Sequence, residues 1–153
     1  MNLREVFREN QLLDSLVCGI RGNDERLVES SIAQLLRDDH QRKIGGILED
    51  SFRLGLITES MRKTIARALG KGNNQFLQVF GGFLLETKSD DPFSEFAKQM
   101  ELDLETPPYE VLSNDQSGQP YGGKDNIKVF WNSLSLSQRV AAKFDIATKT
   151  GRT

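Results

Sequence analysis

The sequence predicts a mainly α fold: a multi-helix bundle of about six or seven helices with a C-terminal loop or short β-hairpin excursion. Three observations carry that expectation. Apolar residues recur at three- and four-residue spacing through most of residues 2–104, with small polar residues standing where each run begins. A chain of 153 residues buries roughly 70 per cent of its unfolded surface, so its core requires neither disulfide nor metal. At Thr106-Pro107-Pro108 the texture then turns to Pro, Gly, Ser, Asn and Asp, which is loop composition. The pattern reads as a single domain over 1–153, with a helical bundle over 2–104, an irregular loop or hairpin over 105–133 and a last helix over 135–148.

The first helix spans 2–20. Asn2 caps it, Glu5 stands at the capping-box position, and Leu3, Val6, Phe7, Leu13, Leu16, Val17 and Ile20 form one stripe. Gly22 and Asn23 stop it. A second helix over 24–37 carries Leu27, Val28, Ile32, Leu35 and Leu36. A third over 39–54 carries Ile44, Ile47, Leu48 and Phe52, with Gly45 and Gly46 placed to let another helix approach. Gly55 ends it, Leu56 and Ile57 are expected to bury, and Thr58 opens a fourth helix. That helix turns Met61, Ile65, Ala68 and Leu69 inward and Arg62, Lys63 and Arg67 outward.

Gly70 to Gly72 break the chain, and Asn73 or Asn74 caps a fifth helix. Phe76, Leu77, Val79, Phe80, Phe83, Leu84 and Leu85 leave it apolar nearly all round, which suits the centre of a bundle; a buried strand is the competing reading. Asp91-Pro92 is an N-cap and N1 pair for a sixth helix, with Phe93, Phe96, Ala97 and Met100 inward. The runs 109–113 and 126–131 flank the loop-rich stretch and suggest a hairpin. Ser135 or Ser137 caps the last helix, with Val140, Ala141, Phe144 and Ile146 apolar.

The formal net charge is −2, but the charges are striped. Residues 86–116 carry nine acids against Lys88 and Lys98, net −7, whereas 56–72 and 138–153 are each net +3. An acidic middle favours a basic partner and repels nucleic acid locally. No stretch approaches the roughly 18 apolar residues of a membrane span, and the charged N-terminus does not read as a secretory signal. A cytoplasmic protein with no membrane association is expected. Cys18 has no partner within the chain and reads as a small buried residue of the first helix.

With one histidine, His40, and one cysteine, zinc chemistry lacks ligands. The acidic groups Glu49-Asp50, Asp90-Asp91 and Asp103/Glu105 fit no calcium-loop frame, and Gly70, Lys71 and Gly72 lack the Lys-Ser/Thr of a phosphate loop. Neither a cofactor nor a metal is expected, nor is catalysis.

The segment 30–58 resembles the two-helix core of the winged helix-turn-helix family. The likeness lies in the order of apolar positions: Ile32, Leu35 and Leu36 on a supporting helix, Ile44, Ile47 and Leu48 on a recognition helix, then Leu54-Gly55-Leu56-Ile57. It covers under a fifth of the chain. The resemblance implies that Gln41, Arg42 and Lys43 face the major groove. Against it stand the turn Arg37-Asp38-Asp39-His40, which sets Asp38 and Asp39 beside the reading surface, the helical spacing of 58–69 where a wing belongs, and a net charge of −2 over residues 24–55 that forfeits phosphate neutralisation. An ordinary helix pair ended by a glycine cap is preferred.

The expected function is a non-catalytic protein-binding module whose acidic residues Asp90, Asp91, Glu101, Asp103 and Glu105, with Tyr109 and Tyr121, meet a protein partner with a basic surface. An inhibitor or immunity-type protein that blocks a cationic site is one concrete form, because carboxylates then stand where phosphates would. One alternative is a nucleic-acid-binding regulator using Arg42, Lys43, Arg62, Lys63 and Arg67. Another is a structural subunit of a larger assembly.

Overall fold

A computed structural model describes residues 2–38, 42–113 and 124–149. Those residues are mainly helical and contain no strand. Nine helices run through them: α1 (Leu3–Arg21), α2 (Glu25–Arg37), α3 (Arg42–Arg53), α4 (Glu59–Gly70), α5 (Gln75–Glu86), α6 (Pro92–Gln99), α7 (Tyr109–Ser113), α8 (Lys124–Ser133) and α9 (Leu136–Lys149). They fall into two compact units, Met1–Phe96 and Ala97–Thr153, with the boundary inside α6.

Local chemistry starts the helices. The side chains of Asn2, Asp24, Thr58 and Asn74 each accept the backbone N–H three residues on, satisfying one of the donors that a helix start leaves free. At α9 the exchange is reciprocal. Ser135 Oγ accepts from Gln138 N at 3.3 Å, and Gln138 Oε1 accepts from Ser135 N at 2.9 Å, a capping box.

Three helix ends share one hydrogen-bond pattern. After α3, Leu56 N donates to Ser51 O and Gly55 N to Phe52 O, with Gly55 at φ +70°. After α1 the same pair of bonds closes around Asn23 (φ 54°), and after α6 around Glu101 (φ 56°). This closure needs a residue in the left-handed region, which glycine and asparagine enter readily and glutamate does not.

In the first unit α2 packs on α1 and on α4, α4 packs on α5, and α3 packs on α1. The core comprises Leu16, Ile20, Val28, Ile32, Leu35, Ile44, Leu48, Met61, Ile65 and Leu69, with Phe76, Phe80, Phe93 and Phe96. Full burial of each such side chain contributes about 2 kcal/mol. The phenylalanines interlock: Phe80 stacks on Phe93 at 4.3 Å between centroids, and Phe96 meets Phe76, Phe80 and Phe83 edge-on.

Close helix approach occurs at Gly19 and Gly81. A Cβ on Gly81 would lie 2.8 Å from Ala66 O, and one on Gly19 would lie 2.8 Å from Val28 Cγ2. The expected approach at Gly46 is absent, since a Cβ there meets nothing within 4 Å.

In the second unit α7 packs on α8, and Ile127, Trp131, Val140 and Phe144 are buried. The expected hairpin is corrected here. The run 109–113 is α7, and 126–131 lies within α8. Ile127 and Trp131, four residues apart, are both buried while Val129 is 68% exposed, so burial follows the helical period and not the strand period.

Other expectations change as well. In α5 only Phe76, Leu77, Phe80, Gly81 and Leu84 are buried; Val79 and Leu85 face solvent, so the helix has one buried face. Leu3, Val6 and Phe7 at the front of α1 are exposed, as are Cys18, Leu56 and Met100. The buried face of α1 begins instead at Glu9 and Leu12.

Candidate functional site

The residues singled out by charge divide between the two units. Asp90 and Asp91 belong to the first. Asp90 is exposed, and Asp91 caps α6, its Oδ2 accepting from the Ser94 hydroxyl at 2.9 Å. Glu101, Asp103 and Glu105 belong to the second, on the turn that follows α6, and all three are exposed. Tyr109 is half-buried at the first position of α7, its N–H donating to Pro107 O at 2.9 Å. Tyr121 lies outside the described residues.

The turn over 101–106 is fixed from within. Leu102 N donates to Ala97 O at 2.9 Å and Glu101 N to Lys98 O at 3.2 Å, closing α6 with Glu101 in the left-handed region. Asp103 Oδ1 accepts from Glu105 N at 3.1 Å and from Thr106 N at 3.3 Å. Leu104 O accepts the buried indole N–H of Trp131 at 2.7 Å, and Pro107, just past the turn, is buried as well.

The electrostatics of the turn follow from those bonds. The Thr106 hydroxyl, then the Thr106 and Glu105 amides and the Lys143 ammonium, hold the Asp103 carboxyl below its ordinary pKa. Lys143 sits over the Trp131 ring, 5.5 Å from its centroid. Partial burial lowers the Lys143 pKa, and Asp103 opposes that shift. Trp131 was legible as an anchor because it is the only tryptophan. Lys143 and the backbone state of Glu101 carried no sequence signal: one is brought in by α9, and the other is a conformation that its residue type disfavours.

Two basic residues of the nucleic-acid alternative, Lys43 and Arg62, are engaged within the fold. Lys43 Nζ pairs with Glu9 at 2.7 Å, and Asp38, expected beside it, pairs with Arg8 at 2.6 Å. Arg62 is half-buried and not outward: its guanidinium lies 5.0 Å from the Phe52 ring centroid and Nη2 donates to Ser89 O at 3.1 Å. Arg67 Nη2 donates to Thr64 Oγ1 at 3.4 Å, and Lys63 is exposed. Arg42 opens α3, while its side chain and Gln41 lie outside the described residues.

Among the described residues, no three His, Cys, Asp or Glu side chains gather as a metal site would require. No described helix is long and apolar enough to cross a membrane. Comparison of the chain with protein-family models, with curated proteins and with solved structures returns no match in any of the three.

Proposed function

We propose that the protein is a non-catalytic binding module whose exposed carboxylates at Glu101, Asp103 and Glu105 engage a protein partner with a basic surface. The observation that supports this reading is the placement of Glu101. A non-glycine side chain in the left-handed region costs about 1 kcal/mol, and an acid just past a helix C-terminus faces the negative end of the dipole. Asn23 and Gly55, at the equivalent positions after α1 and α3, suit that conformation; Glu101 does not. Strain of this kind is retained where the side chain has a task beyond folding. The bonds from Asp103 and Trp131 hold the turn before any partner arrives, which lowers the ordering entropy of association.

An inhibitor or immunity-type role, with the carboxylates standing where phosphates would bind, is the concrete form of this reading. The nucleic-acid alternative has less support, because Lys43 and Arg62 are already engaged within the fold.

The test is affinity capture from the native host with mass spectrometry. It compares the wild type, a variant carrying Glu101→Gln, Asp103→Asn and Glu105→Gln, and a second carrying Asp90→Asn and Asp91→Asn. Asparagine retains one oxygen acceptor at each of Asp103 and Asp91, and circular dichroism matching the wild type is the folding control for both variants. A basic protein released by salt and lost with the first variant is the expected result. Equal capture by all three sinks the proposal. Duplex-DNA binding with a steep salt dependence would favour the alternative.

A further inference from the structure

We infer that the first unit carries a binding site for a small aliphatic carboxylate, in a groove of about 200 Å³ between α4 and the end of α5. Arg62 is its centre. Stacking on Phe52 and the bond from Nη2 to Ser89 O hold the guanidinium in place, yet Nη1 is closed off from solvent and has no acceptor. A buried unpaired guanidinium N–H is uncommon, because its desolvation goes uncompensated. A carboxylate seated against Arg62 supplies the missing acceptor through a charge-assisted bond.

The groove's other walls select the ligand. Lys63 and Lys88 add two cations, while Glu59 and Glu86 remove two, leaving a net charge of +1 that matches a monocarboxylate better than a phosphate dianion. Leu85, more than half exposed, offers its side chain to a short aliphatic body. The wall after α5 is already tied down: the Thr87 hydroxyl donates to Glu95 and accepts from Ser89 N, and Ser89 Oγ accepts from Asp91 N. Because Nη1 is closed off, the ligand reaches it only once the Arg62 guanidinium shifts toward the groove, so binding is an induced fit and not the filling of an open hole.

The experiment is an amide NMR titration of the full chain with isovalerate, acetate and inorganic phosphate. Saturable shifts at residues 59–63 and 84–89, strongest with isovalerate and weaker with acetate, are expected. Lys63→Ala and Lys88→Ala, both at exposed positions, should each weaken isovalerate several-fold. Arg62→Lys, which retains the charge but loses the fork, should weaken it about tenfold, the loss of one charge-assisted bond. The absence of saturable shifts at the groove, tighter binding of phosphate than of isovalerate, or unchanged affinity in all three variants each overturns the inference.

Discussion

Glu9 and Lys43 stand 2.7 Å apart, beside a second pair, Arg8 and Asp38, at 2.6 Å. Consecutive residues of α1 thereby grip both sides of the connection between α2 and α3, at the C-cap of α2 and near the start of α3. The Glu9 side chain is only 10% exposed, so its pair with Lys43 should exceed an open surface pair. A double-mutant cycle with Glu9→Gln and Lys43→Met should give a coupling of about 1 kcal/mol by urea denaturation. A coupling near zero would remove the pair from the forces holding α1 to α3.

Adjacent glycines of α5 should respond with opposite sign. A Cβ at Gly81 meets the Ala66 carbonyl, which is backbone and cannot swing aside, whereas one at Gly82 meets nothing. Gly81→Ala should destabilise by about 1–3 kcal/mol through overpacking. Gly82→Ala should stabilise by up to about 1 kcal/mol through helix propensity. Thermal and urea midpoints for the two variants check this directly.

Glu101→Gly should raise stability by about 1 kcal/mol, since glycine enters the left-handed region without penalty. If the carboxylate serves binding, the same change weakens partner capture. A variant that is both more stable and fully competent in capture would show that the acid at this position has no role there.

Two carboxyls, those of Glu25 and Asp103, should titrate below the ordinary range. Hydrogen bonds from the Thr64 and Ser60 hydroxyls, with help from Arg67, lower the Glu25 pKa, and the Thr106 hydroxyl leads the causes that lower Asp103. A depressed folded-state pKa adds stability above the unfolded value, and that contribution disappears as pH falls through the folded value. Acid loss should therefore begin as the pH falls through the usual carboxylate range and be complete only beneath it. Carbon-detected NMR should show both midpoints displaced downward, with Thr64→Val returning Glu25 toward its ordinary value.

Trp131→Phe should destabilise by about 1–3 kcal/mol, combining lost packing with an unpaired Leu104 carbonyl. Amide exchange at residues 103–106 should quicken in the same variant. Unchanged exchange would mean that the indole fills space without fixing the turn.

The helix starts were legible because capping is local chemistry. Asn2, Asp24, Thr58, Asn74 and Asp91 each act within three residues of themselves, and Gly55 ends α3 as its type requires. The hairpin misled because Ile127, Val129 and Trp131 satisfy a period of two as residues, while Ile127 and Trp131 also satisfy a step of four; tertiary burial chose the latter. The composition of α5 hid its exposed side, because periodicity cannot be read from a segment with almost no polar residues. The acids were legible as charge. Their division between two units and the backbone state of Glu101 depend on geometry that no local pattern encodes.

The bond from Trp131 to Leu104 gives the protein an optical reporter at its proposed contact. With one tryptophan in the chain, all indole emission comes from a ring tied to the acidic turn and overlain by Lys143. A partner that draws on Asp103 disturbs both neighbours of that ring. Emission wavelength and quenching should then follow association at the turn in unlabelled protein.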